Sequence, residues 1–214
     1  YAAYVPPAPF DEKQDAYFWV TPIDTTKPQP EQEEQLLGHS IHSIPITVAH
    51  EAFPGHHVQL CHANKVSSKI RKIFGTNVFI EGWAHYCEEL MWEHGFYTDP
   101  KVRLMQLRDV LWRACRVVID IKLHTGEMTF DDAVKMLVDT ADMERVNAIS
   151  EVKRYTQSPT QPMSYLAGKI LLMNLRKEYK NKKGKAFNLQ EFHDKLLSYG
   201  SVPIILIRDE MVKN

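Results

Sequence analysis

Apolar residues return at helical spacing in five successive stretches: Leu36 to Cys61, Val78 to Trp92, Val102 to Leu123, Ala133 to Val152 and Leu166 to Tyr179. Gly75, Gly95, Asp99-Pro100, Gly126 and Pro159 fall between them, where helices are expected to stop. Such a chain buries its apolar stripes by packing helix on helix, so the pattern predicts a mainly α-helical array. Residues 1–31 differ. They hold six of the twelve prolines, which remove backbone donors, and this opening segment reads as extended. Within it Ala16-Tyr17-Phe18-Trp19-Val20 offers one short strand at most. Thr129-Phe130-Asp131-Asp132 puts acidic residues in the first turn of the fourth helix, at the positive end of its dipole. No internal repeat or polar linker interrupts the pattern, so residues 1–214 read as a single helical domain.

With 44% hydrophobic residues the 214-residue chain can bury a sizeable core, which excludes a disordered tail. Lys and Arg number 26 and Asp and Glu 27, a net charge of -1, so no global positive field exists to hold nucleic acid or an anionic bilayer. No apolar run reaches the roughly 18 residues of a membrane span. Cys61, Cys87 and Cys115 are odd in number and set in apolar runs, which predicts buried free thiols rather than disulfides or a zinc ribbon. The chain opens on Tyr1 and runs into Pro-spaced sequence. It is therefore expected to be part of a longer protein, cytoplasmic or, where an upstream signal has been removed, periplasmic.

Eight of the ten histidines lie between His39 and His94. Among them is Val48-Ala49-His50-Glu51-Ala52-Phe53-Pro54-Gly55-His56-His57. A zinc-peptidase helix of the form HExxH sets two histidines at i and i+4 on one face, with the glutamate beside the metal as general base. Here position 54 is Pro. On a regular helix His56 would lie about 240° around from His50, and His57 on the same face but about 10.5 Å further along. Pro54 removes a hydrogen bond to the His50 carbonyl and Gly55 tolerates unusual dihedrals, so the helix should bulge or break after Glu51 and bring His56 back toward His50. Downstream, Phe79-Ile80-Glu81-Gly82-Trp83-Ala84-His85-Tyr86 starts a helix whose stripe holds Glu81, His85 and Glu88 or Glu89. Glu81, expected in the first turn, is expensive to bury unless paired or bound to metal. His85 is the competing ligand, or a group orienting Glu81 or water.

These motifs, with Arg116-Val117-Val118-Ile119-Asp120-Ile121-Lys122-Leu123-His124-Thr125-Gly126, Glu151-Val152-Lys153-Arg154-Tyr155 and Pro162-Met163-Ser164-Tyr165-Leu166-Ala167-Gly168-Lys169, resemble in order the bacterial family called domain of unknown function 885. Members of that family are longer, so the resemblance implies that this chain is a C-terminal, motif-bearing part. The family looks like a relative of the gluzincin metallopeptidases. That implies a zincin-like helical fold, one Zn2+ held by His50, His56 and Glu81, and Glu51 as general base toward a peptide or small amide substrate. By its Gly-His match the second ligand is carried to His56, with His57 the alternative.

Further residues are candidates for supporting roles. Arg116, Asp120 and His124 share one face of an otherwise apolar helix, either as a salt-bridged row or as groups aimed at the site. His124 could bond a substrate carbonyl, with Asp120 fixing its tautomer. Tyr155 and Tyr165 are candidate donors to a developing oxyanion, and Tyr165 is favoured because Tyr165-Leu166-Ala167-Gly168 resembles a Tyr-x-x-Gly stretch of some thermostable carboxypeptidases. Arg154 and Arg176 are candidates for a peptide carboxylate. Tyr17 to Val20 is the segment expected to pair with a substrate backbone. The alternatives are a helical metal- or ligand-binding domain without catalysis, and a metal-dependent hydrolase of other amides or esters.

Overall fold

The protein, seen in a computed structural model that describes residues 2–37 and 39–213, is mainly helical and opens with one two-stranded sheet. The opening segment holds a hairpin rather than a lone strand. β1 (Ala2–Val5) pairs antiparallel with β2 (Tyr17–Val20), Ala2 opposite Val20 and Val5 opposite Tyr17. The short, small-residue β1 carries no strand signature, which hides it from a reading of the sequence. α1 (Gln29–Leu37) then starts inside the segment expected to be extended. Pro30 stands in its first turn, where a missing N–H costs nothing.

The stretch Leu36 to Cys61, expected to be helical with a bulge or break after Glu51, is divided into the end of α1, a 3-10 turn at Ile41–Ser43, α2 (Ile44–Glu51) and α3 (His56–Lys65), so the break after Glu51 is present and a further one precedes Ile44. Pro45 begins α2 and Pro54 separates it from α3, each removing a donor that a continuous helix would need. After the short α4 (Lys69–Ile73), α5 (Asn77–Glu93) is capped by Thr76, and α6 (Pro100–His124) by Asp99 with Pro100 at its first position. Ala133 to Val152 is two helices, α7 (Phe130–Ala141) and α8 (Arg145–Gln157), parted by Asp142 in the left-handed region at φ 50. The acidic start of α7 is a capping box of Thr129 and Asp132. α9 (Gln161–Lys183), α10 (Leu189–Ser198) and α11 (Ile204–Arg208) complete the array.

α5 and α9 are the central pair, and they cross at two glycines. A methyl on Gly168 would lie 1.9 Å from the Val78 carbonyl oxygen and 2.6 Å from Gly82 Cα, so only glycine permits this approach. Beside the crossing, Phe79, Trp83, Leu172 and Leu175 pack with Phe192 and Leu196 of α10 and Ile207 of α11. Each such buried side chain contributes about 1.5–3 kcal/mol. A second core lies where α6 meets α7 and α8, around Ile119, Leu137, Val152 and Tyr155. α2 packs on α5, and its Ile46 and Ala49 join Tyr97 and Val102 in a third. Cys87 and Cys115 are buried and Cys61 half-buried, all as free thiols. Among the described residues no helix is long and apolar enough to cross a membrane.

Candidate metal centre

His50 and Glu51 are the last two residues of α2, and His56 is the first of α3. Between them the chain turns through Ala52 to Gly55, with a cis Phe53-Pro54 bond. Trp83 of α5 donates its indole N–H to the Pro54 carbonyl (3.0 Å), which pins this turn to the central helix. Gly55 lies against the end of α2: a methyl there would meet the His50 carbonyl oxygen at 1.8 Å. The break thus folds His56 back beside His50, their ring centroids 4.8 Å apart and perpendicular.

Glu81 reaches the same point from α5. Because that helix starts at Asn77, Glu81 stands in its second turn rather than its first, away from the helix end. Its Oε2 is 3.3 Å from His56 Nε2 and 3.6 Å from His50 Nε2, and it is buried without a hydrogen bond. One donor atom from each of the three side chains lies within 4.8 Å of the others. Bonds of about 2.0–2.1 Å in tetrahedral directions separate neighbouring donors by about 3.3–3.4 Å, so this orphaned oxygen and the two imidazole nitrogens fit a small N/O-preferring cation such as zinc.

Glu88, seven residues beyond Glu81 and 0% exposed, supports the trio from behind. Its Oε1 is 2.8 Å from His50 Nδ1, which leaves Nε2 facing Glu81. Its Oε2 bonds His85 Nδ1 at 3.1 Å, and the Arg113 guanidinium lies 3.5 Å away. Burial works against the charge on Glu88, but Arg113, His85 and His50 hold its carboxyl well below the usual range. Burial likewise opposes a charged His50, yet the Glu81 and Glu88 carboxylates facing its two ring nitrogens outweigh it and raise the imidazole to about 9. Glu81 is held low, against its burial, by His50 and His56. His85 faces Glu88 rather than the trio, and burial drives it down to about 4.

Two further groups flank the trio. Tyr165 of α9 stacks on His50 with ring centroids 6.0 Å apart, and burial followed by the Glu81 charge pushes its hydroxyl up to about 12. Gln161, on the preceding turn of α9, donates to Tyr165 Oη (3.0 Å) and to Glu81 Oε1 (3.2 Å). Glu51 accepts a hydrogen bond at Oε2 from the backbone N–H of Tyr4 (2.8 Å), so β1 lies against the candidate general base. The strand beside the centre is therefore β1, not Tyr17 to Val20, which forms the outer strand with every residue exposed.

The whole of this arrangement lies within residues 1–211, and those residues match the family described as "Bacterial protein of unknown function (DUF885)". The chain belongs to the DUF885 family. Two solved structures are similar to the DUF885 chain. A candidate lipoprotein of unknown function from Shewanella oneidensis is 36% identical, with a TM-score of 0.86, the match covering 98% of this chain and 38% of that one. A candidate lipoprotein from Colwellia psychrerythraea is 28% identical with a TM-score of 0.86, the match covering 98% and 34%. The DUF885 chain thus spans little more than a third of the length of these relatives. No curated protein matches it.

Other predicted residues of the DUF885 chain lie elsewhere. His57 turns outward to the Tyr4 hydroxyl (3.0 Å), the Phe53 ring and Cys61. Tyr155 is a core residue of the α6–α8 cluster, and its hydroxyl accepts from Trp112 Nε1 and Arg116 Nε. Asp120 accepts the backbone N–H groups of Thr160 and Met163 and thereby anchors the start of α9. His124 bonds back to Asp120 on its own helix, and among the described residues no contact takes it to the trio. Arg154 is held by Glu151 and Gln161, and Arg176 pairs with Glu93. His193, given no role by the sequence, is half-buried beside the core, hydrogen-bonded to the Tyr86 hydroxyl and set edge-on to Trp83. Glu88 was within reach of the sequence, since it shares the α5 stripe with Glu81. Gln161, Arg113 and Tyr4 carry no motif.

Arg116 and Arg154 grip Glu151 at 3.0 and 2.9 Å. Burial would raise the Glu151 carboxyl, but the two guanidinium groups outweigh it and hold the carboxyl at about 2, below its ordinary 4.5. A folded-state value below the unfolded one contributes stability above about pH 4.5 that is lost as the pH falls toward 2. Glu151→Gln should therefore lower the melting temperature at pH 7, and the gap to the parent should close between pH 4.5 and 2. A gap that is constant across that range in thermal melts would contradict the assignment.

Proposed function

We propose that this chain is the metal-bearing part of a zinc-dependent peptidase of gluzincin-like, zincin-type architecture. The observation that carries the reading is the convergence of His50, His56 and Glu81, with Glu81 Oε2 3.6 and 3.3 Å from the two Nε2 atoms and one donor atom of each side chain within 4.8 Å of the others, beside a His-Glu helix end. Zinc held there supplies Lewis acidity, acidifying water and polarising a carbonyl. Glu51, tethered at Oε2 by Tyr4 N–H, keeps Oε1 to take a proton from the attacking water and return it to the leaving amine. Tyr165, lying over His50, donates its hydroxyl proton to the oxygen on which negative charge develops. Glu88 fixes the His50 tautomer. The descriptions of both relatives as candidate lipoproteins support a place outside the cytoplasm for the longer protein.

The test is metal content with activity. The purified chain, incubated with zinc and desalted, should hold one zinc per chain and cleave members of a fluorogenic peptide library. A strong chelator should stop that cleavage and added zinc restore it. Failure to retain zinc in the parent protein would overturn the proposal. A second reading, metal binding without catalysis by this portion alone, is favoured by its covering only 38% and 34% of its relatives. Stoichiometric zinc with no cleavage of peptides, other amides or esters selects it.

A further inference from the structure

Gln161 is the first residue of α9, and its backbone is fixed on both sides. Asp120 takes the N–H groups of Thr160 and Met163, and Ser164 Oγ donates to the Gln161 carbonyl oxygen. Its side chain joins three charged or polar groups. Oε1 accepts from Arg154 Nη1 (3.0 Å), while Nε2 donates to Glu81 Oε1 (3.2 Å) and Tyr165 Oη (3.0 Å). The neighbours settle which way the amide points. Arginine only donates and a carboxylate only accepts, so the oxygen must face Arg154 and the nitrogen Glu81.

Two consequences follow. With Oε1 tied to the amide, Glu81 is left with Oε2 for the imidazoles, and that oxygen is the one buried without a hydrogen bond. With its lone pair engaged by Nε2, Tyr165 must direct its single proton away from Gln161. We propose that Gln161 is a positioning residue of the metal centre: one amide orients the carboxylate ligand and aims the Tyr165 proton at the space the ion faces. This rests on the zinc reading above and adds to it a residue that touches neither metal nor substrate.

Gln161→Met keeps length and removes both donors. Measured by chelator competition on the whole chain, zinc affinity should fall about 10- to 100-fold, as for other partners of metal ligands. The metal-free melting temperature reports the loss of these hydrogen bonds by themselves, and the further rise on adding zinc should be smaller than the parent's, which a merely structural role would leave unchanged. With the peptide found for the parent, kcat should fall with KM little changed, and adding Gln161→Met to Tyr165→Phe should lower kcat no further. Gln161→Glu supplies a second test should the first variant fail to fold. Its carboxylate would accept the Tyr165 proton, so kcat should drop to the Tyr165→Phe level. Parent protein that binds zinc, with either folded variant matching its zinc affinity and kcat, overturns the role of Gln161 while the centre stands. Parent protein that binds no zinc overturns both.

Discussion

Glu51→Gln should keep its zinc and lose its hydrolytic activity. General base catalysis is worth about 10²- to 10⁴-fold, so kcat should fall by at least that lower figure. Zinc affinity should stay within a few-fold of the parent, because Glu51 is not among the three converging donors. The substitution is gentle on the fold: the amide oxygen can still accept the Tyr4 N–H that the carboxylate accepts at 2.8 Å. Single-turnover kinetics with zinc analysis on the same sample gives both numbers. Full activity would remove Glu51 from the mechanism, and loss of zinc would make it a ligand instead.

Gly168→Ala should cost both stability and metal binding. The added methyl would meet backbone, the Val78 carbonyl oxygen at 1.9 Å and Gly82 Cα at 2.6 Å, so no side-chain rotation can relieve it. α5 and α9 must move apart. Overpacking of this kind costs about 1–3 kcal/mol and sometimes more, which for a chain this long is a fall of about 2–12 °C in melting temperature. Glu81 is next to Gly82 on one helix, and Tyr165 is one turn before Gly168 on the other. Separation therefore draws Gln161 and Tyr165 away from Glu81, and zinc affinity should fall with stability. Gly126→Ala is the control. Its methyl meets nothing within 4 Å, leaving only the strain of a positive φ, about 1–2 kcal/mol, and zinc binding should not change. Equal zinc affinity in Gly168→Ala and the parent would show that the crossing does not set the centre.

The glycine crossing also marks how far the residues alone could lead. Helical periodicity was legible because each helix buries one stripe, and Pro54-Gly55 announced the break that returns His56 to His50. Asp142 gave no such warning, since a left-handed cap that is not glycine leaves no compositional mark, and two helices read as one. Arg116 was ambiguous for a different reason: a charged row on an apolar helix looks the same whether it serves a site or a buried ion pair. Gln161 was invisible because an amide at a helix start reads as a polar end residue. Its partner Glu81 is 80 residues away, and only the packing of α9 on α5 brings them together. β1 was missed for want of any pattern in four residues, although it touches the candidate base.

The turn at Ala52 to Gly55 has one more consequence. In an HExxH helix both histidines ride on a single rigid rod, and a metal there ties that rod to one other element. Here the two imidazoles belong to separate helices and the carboxylate to a third, so a bound ion is a cross-link among α2, α3 and α5. Any ion that favours the folded arrangement adds RT ln(1 + [L]/Kd) to its stability, about 4 kcal/mol at a thousand times Kd. For this chain, metal supply would act as a rivet as well as a reagent, coupling the resistance of the fold to the concentration of free zinc around it.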